Sequence, residues 1–357
     1  MRSSISSSNS LERVIPKQQW GKLAVSSFII ALLLTLGWEM YWRSKGYAPT
    51  LNDNKDLWSL TREKVNTHPS RTVLIGASRM LFDFDMQVWK EKYNELPLQL
   101  ATVGTNPSIY LDHLANESNF KGTLLLGITP PLFFVPEGMP VDNPKSNIDF
   151  YNKFSPAQRI SYYLGLVLDR NLAFVEQEDI PLTKIFEDLP IANRPKAKVG
   201  PKLPPYFMSI DENRQGRMHL RKGHEQVILD RIAKGWVPLF TPPPPPPMFT
   251  PEQFKKMFME HVNKTIVKAK ENVSKIQARG GKVILIRFPS TGKVRELENK
   301  FAPRVAFWDR LATEIGANQS IHFEDHQELQ GFDCPEQSHL RASDATEFTK
   351  RLLRKLH

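Results

Sequence analysis

Two short stretches carry the residue types that nucleophilic chemistry needs. In Ile75-Gly76-Ala77-Ser78-Arg79 a serine follows a short apolar run. In Asp333-Cys334-Pro335-Glu336-Gln337-Ser338-His339-Leu340 a histidine follows two carboxylates. A serine attacks a carbonyl only when a tight turn exposes its oxygen, a histidine takes its proton, and N–H groups hold the developing oxyanion. Gly76 and Ala77 permit such a turn. Alone, a strand ending in Gly-Ala-Ser also reads as a helix cap, and a single loop histidine as a surface residue. Of the nine histidines, His339 is the one expected in a loop at the carboxyl end of a sheet with carboxylates close before it. The pair therefore says more than either member. Glu336, three residues before His339, and Asp333, six before, both compete to orient the imidazole through Nδ1.

Other chemistries find little footing. There is no His-Glu-x-x-His, and His322 and His326 straddle a strand end instead of sharing one helix face, so no metal site is expected. The chain's single cysteine excludes an internal disulfide framework and a multi-cysteine zinc site. No cofactor is expected.

The two stretches must be positioned by an α/β domain. Apolar runs at residues 72–78, 96–104, 122–130, 282–289 and 320–325 read as buried strands. Amphipathic spacing predicts helices at 85–93, 107–117, 251–279, 302–315 and 342–356. Alternation of this kind predicts a parallel sheet of five strands with helices on both faces, and reactive groups at the strands' carboxyl ends. Residues 70–134 and 251–357 make up this domain. Between them, 135–250 form a proline-rich inserted cap over the sheet edge, with a helix at Arg159–Asp169 and proline clusters at Pro201–Pro205 and Pro242–Pro247. A six-proline run is an extended strut without internal hydrogen bonds, read here as a rigid connector in preference to a ligand for a proline-binding module.

Residues 23–38 hold sixteen positions without a charge, with Trp20, Trp38, Tyr41 and Trp42 at the two ends. At 1.5 Å per residue this spans about 24 Å, and the aromatic flanks extend it to a bilayer's thickness. The expected order is a cytoplasmic tail (1–22), a transmembrane signal anchor (23–42) and a polar stalk (43–69) with a helical stretch at 57–65. Arg2, Arg13, Lys17 and Lys22 against Glu12 give the tail 4 − 1 = +3, which puts the N-terminus in the cytoplasm and the rest across the inner, cytoplasmic membrane, in the periplasm or outside the cell. No small-x-small cleavage site follows the apolar run, so the anchor is expected to stay uncleaved.

The order of features resembles the SGNH (GDSL-like) hydrolase superfamily over residues 70–134 and 280–357. Its pattern is a nucleophile serine after the first strand, a glycine after the second, an oxyanion residue after the third and Asp-x-x-His before the last helix. GASRM is similar to the membrane-anchored branch that includes bacterial polysaccharide O-acetyltransferases. The resemblance implies a flavodoxin-like SGNH-type fold with Ser78 as nucleophile and His339 as base. Gly104 in Val103-Gly104-Thr105-Asn106 becomes a backbone oxyanion donor, and Thr129 in Gly127-Ile128-Thr129 takes the third block, with Asn106 as its possible substitute. Three positions depart from the pattern: Ala77 stands for an aspartate, Thr129 for an asparagine and Glu336 for an aspartate. An oxyanion donor is typically worth about 3 kcal/mol.

The expected activity is that of a serine esterase or O-acyltransferase on acyl, foremost acetyl, esters of an envelope glycan. Arg79 is open between binding an anionic group on that glycan and a salt bridge to a helix at the sheet edge. A membrane-bound acyl-donor protein is a further expected partner of a transferase. The alternative is a catalytically degenerate glycan-binding or envelope-assembly protein on the same scaffold. The net charge of +10 leaves +7 outside the tail. The basic residues are scattered, without a helix that combines them with stacking aromatics, so an anionic polysaccharide is the expected polyanion and nucleic acid is not.

Overall fold

The computed structural model describes residues 19–136, 144–176, 180–181, 186, 207–221 and 223–356. The strands are β1 (Val73–Ile75), β2 (Leu98–Gln99), β3 (Thr123–Gly127), a hairpin of β4 (Met208–Ile210) and β5 (Gly216–Met218), then β6 (Lys282–Arg287) and β7 (Gln319–His322). Helices α1 (Trp20–Ser44), α2 (Lys55–Thr67), α3 (Ser78–Phe82), α4 (Met86–Tyr93), α5 (Pro107–Asn116) and α6 (Pro130–Phe133) belong to the first part. In the insertion lie α7 (Pro144–Asn152), α8 (Pro156–Asp169) and α9 (Glu225–Phe240). The chain closes with α10 (Pro251–Ala278), α11 (Gly292–Phe301), α12 (Arg310–Glu314) and α13 (Ala342–Leu353).

β2, β1, β3, β6 and β7 lie side by side in that order, all parallel. Counted within the sheet this is the doubly wound order 2-1-3-4-5, which reverses its winding between β1 and β3 and opens a crevice at their carboxyl ends. The central strands are apolar in their buried middle, Val73–Ile75, Leu124–Leu126 and Val283–Ile286, because both faces are covered, while the edge strands carry Gln99, Gln319, Ser320 and His322. Their side chains alternate with period two between two layers. Val73, Ile75, Leu124, Leu126, Val283 and Leu285 face α5 and α10. Leu74, Leu125, Ile284 and Ile286 face α4 and α13.

Local chemistry accounts for the covering helices. Thr250 and Gln253 form a reciprocal capping box at the start of α10, with Pro251 at the first helical position. Val262, Ile266, Ala269, Val273 and Ile276, spaced four and three apart, make its buried stripe.

Several expectations need correction. The supposed polar stalk is part of the α/β core: Trp58 and Val65 of α2 sit in the layer below β1 and β3, and the Trp58 indole donates to the Leu100 carbonyl at 3.0 Å. The strand read at 96–104 pairs over two residues only, and the one at 320–325 gives way to a 3-10 turn at Phe323–Asp325. A short helix, α3, follows β1 directly. The helix expected at 302–315 is a π turn at Val305–Asp309 followed by α12, and α11 precedes it unannounced.

The insertion is folded over its described residues. Its hairpin and α9 pack on α3 through Leu81, Phe82, Phe207, Met208, Ile210 and Ile232, so it covers the carboxyl edge of the sheet. Pro201–Pro205 lies outside the described residues, as does the tail before residue 19. Pro242–Pro247 joins α9 to α10 without helix or strand.

α1 is long and apolar enough to cross a membrane. Its 25 residues extend about 37 Å at 1.5 Å per residue. Glu39 is its one buried side chain.

Candidate active site

The position of the candidate nucleophile, Ser78, is built by close packing. β1 delivers the chain into Gly76, where an added Cβ would lie 2.6 Å from the Met80 Cβ. Glycine alone lets α3 fold back so closely onto the strand. Ala77 is the extended N-cap residue and has no side chain with which to cap. Ser78 is therefore the first helical residue and not the cap, and its partly exposed hydroxyl is left for another partner. That partner is His339, whose Nε2 lies 2.7 Å from Ser78 Oγ.

The loop before α13 aims the histidine. Gln337 takes a left-handed conformation (φ 78°), and its N–H donates to the Cys334 carbonyl at 2.7 Å. The Gln337 side chain accepts from Lys293 N at 2.8 Å, which ties the loop to the start of α11. This turn brings Glu336 back onto the histidine three residues later. Glu336 Oε1 accepts the His339 backbone N–H at 2.5 Å and faces Nδ1 at 2.9 Å. A carboxylate beside Nδ1 assigns the ring proton there and leaves Nε2 to accept from the serine. Both side chains are enclosed, His339 at 1% and Glu336 at 0% exposure. Asp333 is exposed, so Glu336 is the residue that occupies the acid position.

The cap adds what the sequence did not announce. The Trp236 indole of α9 donates to Glu336 Oε2. Phe82, Trp236 and Phe207 surround the His339 ring, with centroids 4.6, 5.7 and 5.8 Å away. These contacts keep water from the imidazole and its carboxylate, which strengthens their interaction. Trp236 stands 100 residues from Glu336, and no local pattern marks it.

Arg79 takes the second of its two readings. Its guanidinium is buried, with Nε donating to the Ser338 carbonyl at 3.0 Å, Nη2 to Ser338 Oγ at 3.3 Å and Nη1 to Glu298 Oε1 at 2.8 Å. Such an arginine holds the loop that carries His339, with its donors committed to Ser338 and Glu298 instead of an anionic ligand. Glu298 of α11 also accepts from Arg287 at 2.5 Å and from Ser290 at 2.6 Å. Burial pushes the Glu298 carboxyl up, but Arg287 and Arg79 outweigh it and hold it at about 2. Asp83 closes the far side: its Oδ1 accepts Leu340 N at 2.8 Å. Full burial pushes its carboxyl well above the ordinary value, against the opposing pull of the Leu340 N–H and Arg79.

The three oxyanion candidates fare differently. Gly104 has φ 60°, a left-handed conformation that favours glycine. Its loop is braced by hydroxyls, with Thr102 Oγ1 3.0 Å from both Thr105 Oγ1 and Tyr110 Oη. Thr129 is buried and precedes α6 without capping it by its side chain. Asn106 is committed elsewhere: its Oδ1 caps α5 through Ser108 N at 2.9 Å, and its Nδ2 donates to the Val135 carbonyl at 3.2 Å. The first N–H groups of α3 receive no side-chain cap, and the opening N–H groups of a helix have no intrahelical acceptor.

Among the described residues, no three His, Cys, Asp or Glu side chains group as a metal site would require. His322 is buried between Trp308 and Phe323, where loss of solvent and the field of Arg287 push its imidazole down to about 2.

The arrangement is thus a hydroxyl, an imidazole and a carboxylate in sequence at the carboxyl edge of a parallel sheet. Comparison with protein-family models and with curated proteins finds no match.

Proposed function

We propose that the protein is a membrane-anchored, extracytoplasmic serine esterase or O-acyltransferase that acts on acyl esters of an envelope glycan through an acyl-serine intermediate. The observation that carries this reading is the Ser78–His339–Glu336 relay, with links of 2.7 and 2.9 Å. His339 Nε2 takes the Ser78 proton as Oγ bonds to the ester carbonyl carbon. N–H groups of Ser78 or Arg79 and of Gly104 hold the oxyanion. The tetrahedral intermediate expels the alkoxide, which takes the proton from Nε2 and leaves acyl-Ser78. In the second half His339 deprotonates water or a sugar hydroxyl, that oxygen attacks the acyl carbon, and Ser78 Oγ recovers the proton.

In this proposal α1 crosses the cytoplasmic membrane with the N-terminal tail inside. The +7 carried by the rest of the chain favours an anionic polysaccharide outside, and a membrane-bound protein supplies acyl groups if the enzyme is a transferase. The resemblance to the membrane-anchored SGNH branch supports the glycan and the acetyl group.

A second reading, a non-catalytic glycan-binding or envelope-assembly protein, draws support from one feature: Asn106 is spent on capping α5, which leaves Thr129 without an amide to substitute for it. A fluorophosphonate probe distinguishes the two. Covalent labelling of the wild type that disappears in Ser78→Ala, together with loss of acetyl-ester cleavage, supports the enzyme. Absence of labelling and unchanged ester turnover in Ser78→Ala would refute it.

A further inference from the structure

α8 has two apolar faces and uses only one of them. Leu166 is its buried residue, and Tyr162 packs beside it on the cap's apolar cluster. On the other side Ile160, Tyr163, Leu164, Val167 and Leu168 are between 53% and 70% exposed. At 3.6 residues per turn these five fall within an arc of roughly 140°, a continuous apolar stripe that nothing among the described residues covers. A soluble helix ordinarily turns such a stripe inward.

The position of α8 relative to the anchor identifies what covers it. Just past its C-terminus the chain is fastened to the last turns of α1. Arg43 donates to the Asn171 carbonyl at 3.0 Å, and Glu39 accepts the N–H groups of Ala173 at 2.9 Å and Phe174 at 3.2 Å. Arg43 also donates to Glu39 at 2.5 Å. This clamp sits among Trp38, Tyr41 and Trp42, the aromatic residues that mark a membrane–water boundary. From Leu168 to Ala173 is five residues, which reach at most about 18 Å when fully extended. The Leu168 end of the exposed stripe is therefore held within about 18 Å of the aromatic end of α1.

We infer that α8 is an interfacial helix whose outer face, Ile160 to Leu168, lies in the headgroup and upper acyl layer of the membrane that α1 crosses. Its amphipathic pattern, with Tyr163 in the stripe, is that of helices lying in this plane. Two attachments, a spanning helix and a surface helix joined by the Glu39–Arg43 clamp, fix how the domain sits above the lipid. The inference rests on α1 spanning the membrane and is independent of the proposed ester chemistry.

Spin labelling of the full chain in lipid nanodiscs tests this. Single cysteines replace Leu164, Val167, Glu271 and Leu33 in a chain carrying Cys334→Ala, and oxygen is compared with a water-soluble nickel chelate as relaxant. Labels at positions 164 and 167 are expected to be several-fold more accessible to oxygen than to nickel, as at position 33, while position 271 on exposed α10 favours nickel. Aqueous behaviour at 164 and 167 with a lipid-exposed 33 overturns the surface helix. Labels immobile and closed to both reagents place a protein there, such as a second copy, and overturn it equally. Aqueous behaviour at 33 removes the anchor on which the inference depends.

Discussion

Arg79 and Ser338, the neighbours in sequence of Ser78 and His339, are hydrogen-bonded directly to each other: Arg79 Nε donates to the Ser338 carbonyl at 3.0 Å. The 2.7 Å gap between Ser78 and His339 is thus set by a buried strut one residue behind it. Arg79→Ala removes the strut and leaves Glu298 with less compensation. Losing one member of a buried charge pair costs about 3–5 kcal/mol. Denaturant unfolding of the detergent-solubilised chain is expected to show a loss of that order, with a fall in ester turnover larger than the loss of folded protein.

Ser78→Ala and His339→Ala are each expected to lower ester turnover by about 10⁴-fold or more, because members of a relay act as a unit. The double variant is expected to be no slower than the worse single one. Additive losses would mean that the two side chains act separately. Steady-state rates on a model acetyl ester decide this.

The indole of Trp236 tests the cap's part in the site. Trp236→Phe keeps an aromatic wall near His339 and removes only the donor to Glu336. A hydrogen bond to a charged group is worth about 1.5–3 kcal/mol, so kcat is expected to fall roughly ten- to a hundredfold while KM stays near its original value. A change confined to KM would instead make Trp236 a substrate contact.

The choice between the two acids has its own measurement. Glu336→Gln leaves the shape intact but favours the wrong imidazole tautomer, and about 10⁴-fold of kcat is expected to go with it. Asp333→Asn, at an exposed position, is expected to leave kcat within a factor of about two.

Asp83 gives a pH dependence with a definite sign. Its carboxyl is raised well above 3.8 in the folded chain, so its share of stability is fully present below 3.8 and is lost as pH rises through the folded value. Asp83→Asn keeps an oxygen for Leu340 N and abolishes that loss. Melting temperatures from pH 4 to 8 are expected to fall more steeply for the wild type than for Asp83→Asn; parallel curves would remove the argument.

The central strands and the Glu336–His339 pair were legible in the sequence because both are written locally, whereas joining Ser78 to them rested on a resemblance. β1, β3 and β6 centre on unbroken apolar runs, and the carboxylate of Glu336 lies three residues from the imidazole it faces. What stayed hidden depends on distant contacts. α11 has only Val294, Leu297 and Phe301 to mark it among charged residues, and its Glu298 is buried because Arg79 and Arg287 converge on it. α2 looked like a stalk since its polar residues outnumber its apolar ones, yet Arg62 is buried against His113 at 2.9 Å. Trp236 and the burial of Arg79 follow from how the insertion and the last loop dock, which no spacing within one segment records.

Ser78 and His339 are separated by 261 positions, so synthesis makes the serine well before the histidine. At about 5–20 residues per second of synthesis the interval between them is some tens of seconds. Throughout that interval the serine is an ordinary alcohol, because the group that would take its proton does not yet exist. On the proposed ester chemistry, a growing chain is therefore inert toward esters until His339 has been made and folded onto Ser78.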